Sequence, residues 1–240
     1  SGLQAVDSGL HCIARGNANI ILVGGTEAMS RAPMTSDPSL NHWLWQWMKL
    51  RSSWGRARHL LRFKTQMLTL HSSLRDGLSD RRVGMNMGQT AEQLATEFAV
   101  RREEMDQYAL RSHHLAHLYQ SAHCAPVRYG EHDYQHDDGI RADVSMKQLA
   151  RLKPLFDQPG RITAGNSSQV TDGAVMLLLA SADAVKQHQL PVLARLTPTA
   201  WAGLAPQRMG LGPAYSIAKL LQQQQCAARS IDLWEINEAF

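Results

Sequence analysis

Cysteine is scarce in this chain, and long apolar runs are absent. Only three cysteines occur among 240 residues, with no C-x-x-C pair. This argues against a disulfide scaffold and a cysteine zinc site, and it fits a reducing compartment such as the cytoplasm. The longest apolar run, 174–180, is far shorter than the roughly 20 residues that cross a bilayer. The formal charge of +4 is too small to indicate nucleic-acid binding.

Motifs that bind phosphates or metals are also missing. The chain has no G-x-x-x-x-G-K-[ST] loop, no G-x-G-x-x-G opening a helix after a strand, and no H-E-x-x-H. His113 and His117 have i,i+4 spacing, and residues 132–138 are rich in His and Asp. A solvated helix face and a polar surface loop are the favoured interpretations of these two groups, so we expect no metal site.

What the chain does contain is typical of a globular α/β protein. Apolar residues make up 44% and charged residues 19%, enough to bury a sizeable core. A helix over 1–18 is followed by an apolar run over 19–25 that predicts a strand buried on both faces. Further helices are predicted from residues 90 and 102 and over 213–225, and residues 123–145 are predicted to be loop. Strands are predicted at 161–164, 174–180, 192–200 and 231–236.

Residues 41–64, which we call the basic aromatic segment, have an unusual composition. They contain four of the six tryptophans and six Lys or Arg residues, with no Asp or Glu. Positions 43, 47, 50, 54, 57 and 61 would line one stripe of a helix, although Gly55 weakens that pattern. One interpretation is a helix that packs its stripe on the protein itself. The other is an interfacial helix that binds an anionic membrane or a protein partner.

The two ends of the chain resemble the interior of a protein. Residue 1 is a serine with no initiator methionine before it, and Phe240 lies in an apolar stretch with no polar tail. Termini are usually polar and loosely held. We therefore expect the chain to be part of a longer protein, and an organellar location stays open beside the cytoplasmic one.

Two short segments could meet a ligand. Residues 165–168, Gly-Asn-Ser-Ser, are small enough for close approach to the backbone and supply neutral hydrogen-bond donors. Residues 237–240, Asn-Glu-Ala-Phe, follow a predicted strand and place an amide donor where α/β sheets bind ligands. Each signal is weak when taken alone.

In combination, nine blocks resemble the thiolase family in order and kind. The resemblance covers the whole chain except roughly 35–75. The blocks are S-G-L-Q-A (1–5), V-G-G-T-E-A-M-S (23–30), M-G-Q-T-A-E (87–92), Y-A-L-R-S-H (108–113), L-K-P (152–154), T-A-G-N-S-S (163–168), D-G-A (172–174), M-G-L-G-P (209–213) and N-E-A-F (237–240).

The resemblance implies a layered αβαβα fold, incomplete here, with an inserted, mainly helical loop domain. Residues 1–37 and 171–190 would belong to the N-terminal half, 38–170 to the loop domain that binds coenzyme A, and 191–240 to the start of the C-terminal half. The implied activity is acyl transfer: thiolytic cleavage of 3-ketoacyl-CoA, or the reverse Claisen condensation. Coenzyme A would be a substrate, with no separate cofactor, and the family favours dimers and tetramers.

The resemblance also implies site residues, at the positions of this chain that match the family's functional residues. Asn237 matches an asparagine whose amide holds the water of an oxyanion hole. Ser168 matches a serine that contacts pantetheine. The apolar positions match the walls of the pantetheine or acyl tunnel, and they are Ala164, Phe156, Met87, Met209, Ala239 and Phe240. Asn86 stands where some short-chain members carry histidine, which leaves acetoacetyl specificity open.

The family's reactive cysteines and histidine are not matched within the 240 residues. The nucleophilic cysteine stands two positions before the block that begins at Ser1, and the G-H-P and C-x-G-G-G motifs follow the N-E-A-F block. Cys12, Cys124 and Cys226 match none of these positions. We therefore expect this chain to be inactive alone and Ser1 to lie in one cleft with Asn237.

Two other functions remain open on sequence grounds. One is a non-catalytic, thiolase-like protein that binds coenzyme A or lipid; Asn237 argues against it, because binding alone needs no oxyanion amide. The other is a ketoacyl synthase, which shares the fold but uses histidines in place of the asparagine block. The sequences on either side of the chain would discriminate between them.

Overall fold

The computed structural model describes residues 2–119 and 124–240, and it divides into two units. The first comprises the described residues of Ser1–Ala28 and Gly88–Phe240, and the second comprises Met29–Met87. Helices and strands occur in both units, so the predicted α/β class is confirmed. The helices are α1 Gly2–Ala14, α2 Pro38–Lys49, α3 Ser53–Leu60, α4 Ser73–Gly77, α5 Met87–Glu97, α6 Arg102–Leu118, α7 Met146–Leu149, α8 Ala182–His188 and α9 Gly212–Gln223. The strands are β1 Ile20–Ala28, β2 Met34–Ser36, β3 Leu70–Ser72, β4 Ser79–Asp80, β5 Met85–Asn86, β6 Val127–Tyr129, β7 His132–Tyr134 and β8 Asp172–Ala180.

The longest sheet in the first unit is an antiparallel pair of β1 and β8. Its register runs from Ile20 opposite Ala180 to Ala28 opposite Asp172. Helix α1 packs on one face, where Val23 and Leu179 are buried. Gly9 permits this close approach, because a Cβ there would lie 2.6 Å from the Cγ1 atom of Val23.

The prediction that β1 is buried on both faces is wrong for the described residues. Side chains alternate across a strand, and α1 covers only the face of Val23. Leu22 and Leu178, on the other face, are exposed. The apolar run therefore predicts the strand correctly but overestimates what covers it.

In the second unit, β2 pairs with β3 and β4 with β5, while α2 and α3 meet around an aromatic core. The buried ring of Trp43 stacks on His59 at 5.1 Å and meets the edge of Phe63 at 5.4 Å. Pro38 lies in the first turn of α2, where a missing N–H costs no helical hydrogen bond, and Asp37 accepts a hydrogen bond from the N–H of Ser39. The side chain of Ser52 caps α3 by accepting a hydrogen bond from the N–H of Gly55. The single helical stripe predicted over positions 43–61 is therefore divided between α2 and α3.

Several predicted elements are confirmed and others are wrong. Helices α1, α5, α6 and α9 and strands β1 and β8 match their predictions. The strands predicted at 161–164, 192–200 and 231–236 do not form, because a strand needs a hydrogen-bonded partner and no described residue pairs with them. The predicted loop over 123–145 contains the hairpin of β6 and β7, and its first residue lies outside the described ones.

Candidate functional site

A cavity of about 620 Å³ opens in the first unit beside helix α6. Its walls come from α6, from residues 139–141, from the loop 164–169 and from Glu238 and Phe240. The loop contributes small polar residues and backbone groups, whereas α6 contributes Tyr108, Ser112 and His113. The cavity therefore combines neutral hydrogen-bond donors with apolar surface.

Asn166 holds the loop in shape from within. Its Oδ1 atom accepts a hydrogen bond from the N–H of Thr163 at 2.8 Å, and its Nδ2 atom donates to the carbonyl of Arg161 at 3.1 Å. The hydroxyl of Ser167 donates to the carbonyl of Thr163 at 2.6 Å. These side chains satisfy backbone groups that no strand pairs, which is how a loop can be both irregular and buried.

A buried ion pair ties this loop to α6. Asp106, which is 1% exposed, accepts from the Nε atom of Arg102 at 2.8 Å and from the Nδ2 atom of Asn166 at 2.9 Å. The Arg102 guanidinium also donates to the carbonyls of Leu149 and Leu152, at 2.6 and 3.3 Å. Both charges are thus hydrogen-bonded as well as paired, the condition under which a buried ion pair is tolerated.

Glu92 fixes the approach to the loop from helix α5. This carboxylate is buried, and its Oε1 atom accepts from the backbone N–H groups of Arg161 and Ile162, at 2.5 and 2.6 Å. A carboxylate that accepts two backbone donors replaces the partner strand that 161–164 lacks. The segment is therefore held by hydrogen bonds although it forms no strand.

The last four residues bind to the loop and to α6. The N–H of Ser168 donates to the carbonyl of Ala239 at 2.9 Å. Glu238 accepts from the Tyr108 hydroxyl at 2.7 Å and from the Ser112 hydroxyl at 2.6 Å. Hydrogen bonds from Ser112 and then Tyr108 hold the pKa of Glu238 below its ordinary value, and the same carboxylate raises the pKa of Tyr108.

His113 supplies a neutral imidazole to the cavity wall. Burial, followed by the charges of Arg141 and His114, lowers the pKa of His113. Its Nδ1 atom accepts from the backbone N–H of Arg141 at 3.3 Å. An accepting Nδ1 atom carries no proton, so the imidazole is neutral near pH 7.

Three of the predicted binding residues, Ala164, Ser168 and Phe240, line the cavity together. The carbonyl of Ala239 accepts a hydrogen bond from the N–H of Ser168, and the rings of Phe156 and Phe240 meet edge to face with their centroids 6.0 Å apart. The structure therefore brings five of these positions into one region, although their predicted contacts with a ligand stay predictions.

The remaining predicted residues lie apart from the cavity wall. Asn237 is exposed and does not line it, although its neighbour Glu238 does. Met209 lies in a short 3-10 helix, Pro206–Leu211. Met87 belongs to the second unit, where its N–H donates to the carbonyl of Leu78. Ser1 lies outside the described residues, so its predicted proximity to Asn237 stays a prediction.

Sequence reasoning missed the charged residues that shape the site. Arg102 and Asp106 stand at i,i+4 spacing in the first turns of α6, a spacing typical of a helical ion pair, and this could have revealed them. Glu92 ends the M-G-Q-T-A-E block, but the residues next to it in the sequence do not indicate that its hydrogen-bond partners are 69 and 70 positions away. Long-range hydrogen bonds to backbone have no local sequence signal.

Within residues 2–119 and 124–240, no group of three or more His, Cys, Asp or Glu side chains is arranged to hold a metal ion. None of the described helices has the length and apolar character required to span a membrane.

Two family profiles match the chain. The profile described as "Thiolase, N-terminal domain" matches residues 1–183, and "Thiolase, C-terminal domain" matches 190–240. Beta-ketoadipyl-CoA thiolase of Pseudomonas knackmussii is 36% identical over 250 aligned positions, covering 100% of this chain and 58% of that protein. Mitochondrial 3-ketoacyl-CoA thiolase of Bos taurus is 36% identical over 252 positions, with the same coverage.

Solved structures show the same relationship. Human mitochondrial 3-ketoacyl-CoA thiolase in complex with CoA superimposes with a TM-score of 0.83 at 34% identity, covering 100% of this chain and 57% of that one. Acetyl-CoA acetyltransferase of Bacillus anthracis superimposes with a TM-score of 0.82 at 31% identity, covering 58% of its chain. The chain thus spans somewhat more than half the length of these proteins and has part of their fold, as the resemblance predicted.

Proposed function

Because this chain belongs to the thiolase family, we propose that its protein is an acyl-CoA C-acyltransferase. It cleaves 3-ketoacyl-CoA with coenzyme A, or in the reverse direction condenses two acyl-CoA molecules. Both directions need a thioester held with its carbonyl near neutral hydrogen-bond donors, because negative charge develops on that oxygen.

The observation that carries this proposal is the cavity beside α6. Three residues that the family resemblance assigns to substrate binding, Ala164, Ser168 and Phe240, line it. A pantetheine arm is a chain of amides and methylenes, and a mixed wall of hydroxyl, backbone and apolar groups suits it. Coenzyme A enters as substrate, and the proposal invokes no further cofactor.

Each residue has a distinct role in this proposal. Ser168 positions the pantetheine through its hydroxyl, while its own N–H stays bonded to Ala239. Asn237 holds a water in the oxyanion hole through its side-chain amide. Phe240, whose ring meets the edge of Phe156, forms the apolar wall, and the carbonyl of Ala239 holds Ser168 in place.

A binding measurement tests this assignment on the 240-residue chain. Coenzyme A titrated by calorimetry should bind, and Ser168→Ala should weaken binding about fivefold, because one hydrogen bond contributes about 1 kcal/mol. Ser230→Ala is the matched control, since the Ser230 hydroxyl donates to the carbonyl of Ala227 and Ser230 lines no part of this cavity. Equal affinities for the two variants would contradict the role of Ser168.

Turnover by the same chain is expected to be absent. None of its three cysteines stands at the position of a family nucleophile or of the second reactive cysteine. Mixed with a 3-ketoacyl-CoA and coenzyme A, the chain should therefore leave the ultraviolet band of the 3-ketoacyl thioester unchanged. A decay of that band above the protein-free rate would show that another group performs the chemistry.

Location and assembly complete the proposal. The scarcity of cysteine and the lack of a C-x-x-C pair suit a reducing compartment such as the cytoplasm. The protein is expected to form a dimer or tetramer, as the family resemblance implies.

A further inference from the structure

We propose that the basic aromatic segment, residues 41–64, is a docking surface for an anionic lipid bilayer. This inference is independent of the acyl-transfer site, because every residue it uses lies in the second unit. It rests on apolar side chains that nothing among the described residues covers, and on positive charge that nothing there neutralises.

Helix α2 has two opposite apolar stripes, of which one is uncovered. Trp43 lies on the inner stripe and is buried against His59, whose Nε2 atom lies 3.1 Å from the carbonyl of Trp43. Leu44, Trp45 and Met48 lie on the opposite stripe, and all three are exposed. A helix that packs by one apolar face alone would carry polar side chains there.

Helix α3 also carries exposed apolar side chains on one face, here together with a cation. Trp54, Arg58 and Leu61 are spaced i, i+4 and i+7 and so share one face of the helix and its last turn. Trp54 is 78% exposed and Leu61 87% exposed. An indole and an aliphatic side chain on either side of a guanidinium form the arrangement that interfacial helices present to lipid headgroups and acyl chains.

The charge of the segment is one-sided. Its six Lys and Arg residues exceed the net charge of the whole chain, +4, so the rest of the chain is net negative. None of the six makes an ion pair with a described carboxylate. Instead, the ammonium of Lys49 lies 3.3 Å from the centroid of the exposed Trp45 ring, and Arg56 lies over Trp47 at 5.1 Å.

Charge complementarity favours an anionic bilayer over other occupants. A second copy of the segment would bring like charges together. An anionic bilayer supplies both partners that the segment lacks: headgroups for the cations, and an apolar layer for Trp54 and Leu61. The exposed apolar faces of β1 and β8 differ, because the only charged residues in those strands are Glu27 and Asp172.

Co-sedimentation with vesicles tests the proposal on the 240-residue chain. The chain should pellet with vesicles of phosphatidylglycerol and phosphatidylcholine, and not with phosphatidylcholine alone or without vesicles. Binding should fall as salt rises, because the cations are exposed and screened. Neutralising Arg58 and Arg62 together (R58Q/R62Q) should weaken binding by about fivefold for each charge removed.

Two tryptophan variants distinguish docking through the segment from non-specific adhesion of apolar surface. Trp54→Gln should weaken vesicle binding severalfold, whereas Trp201→Gln, at a site that is 51% exposed outside the segment, should leave it unchanged. Circular dichroism verifies that each variant keeps the helix content of the parent chain. Because both tryptophans are exposed, neither change removes a core side chain.

Three outcomes would overturn the proposal. Failure to bind anionic vesicles at low salt would indicate a protein partner or packing within the protein. Equal binding to phosphatidylcholine would indicate non-specific adhesion of apolar surface. Salt-sensitive binding that Trp54→Gln leaves unchanged would indicate a general cation patch that adsorbs any polyanion.

Discussion

Buried charged residues hold the backbone of the site in place, although they would not contact a ligand themselves. Asp106 bonds to both Arg102 and Asn166, and Asn166 in turn determines the path of 161–166. Ser168 lines the cavity from the loop that these contacts hold. Asp106 is thus a positioning residue rather than a binding one.

Removing the charge of Asp106 should loosen the loop. In Asp106→Asn, Arg102 would be left without its carboxylate in a site where only 20% of its side chain is exposed. Breaking a buried pair costs about 3 kcal/mol, or roughly a hundredfold faster local hydrogen exchange across 161–168. Asp133→Asn is the control, because the Arg128–Asp133 pair is exposed and such pairs contribute little. Equal exchange in both variants would contradict the assignment.

The lowered pKa of Glu238 predicts that the contacts of the last four residues weaken at acid pH. Its pKa is lowered in the folded chain, so its contribution to stability is fully present above its ordinary pKa and is lost as the pH falls through the lower, folded value. The protection factor of the Ser168 N–H, which donates to Ala239 beside Glu238, should therefore fall at acid pH after correction for the intrinsic exchange rate. The change should not occur in Glu238→Gln, which carries no titrating carboxylate.

The source of that shift can be tested separately. Ser112 is the leading cause, so Ser112→Ala should raise the pKa of Glu238 toward its ordinary value in a carboxyl NMR titration. Tyr108→Phe should raise it as well, since the Tyr108 hydroxyl is the second donor. An unshifted titration in both variants would show that these hydrogen bonds do not form in solution.

At the scale of elements, helix α5 packs against the ring of Phe156 through Gly88. A Cβ at Gly88 would lie 2.2 Å from the Cδ2 atom and 2.3 Å from the Cγ atom of Phe156. Because Cγ is close to the backbone, the ring cannot simply swing away. The glycine therefore determines how closely α5 approaches Phe156, whose ring meets the edge of the cavity residue Phe240.

Gly88→Ala should destabilise this contact despite the higher helix propensity of alanine. Overpacking costs about 1–3 kcal/mol, which exceeds the gain of about 1 kcal/mol from replacing a helical glycine. Faster hydrogen exchange across α5 and 154–157 is the expected readout. Gly77→Ala is the control, since a Cβ there meets nothing within 4 Å. If alanine slowed exchange at both sites, the packing argument would be wrong.

At the scale of the whole molecule, the described chain leaves large apolar surfaces open. The β1–β8 sheet has two strands, with one face covered by α1 and Leu22 and Leu178 exposed on the other. Two-stranded sheets have marginal stability alone. We therefore expect a broad, weakly cooperative heat-capacity transition for the 240-residue chain. A single sharp calorimetric peak would contradict this expectation.

The sequence alone determined the family, the α/β class and most helices, because block order and apolar periodicity are local properties of the chain. It also identified Ala164, Ser168 and Phe240 as candidates for one site. Only the tertiary structure showed that Glu92, Arg102 and Asp106 hold the loop, that Pro38 begins a helix, and that 161–164, 192–200 and 231–236 are not strands. The physical reason is the same in each case: these features depend on hydrogen-bond partners, present or absent, at distant or unpredicted positions in the chain.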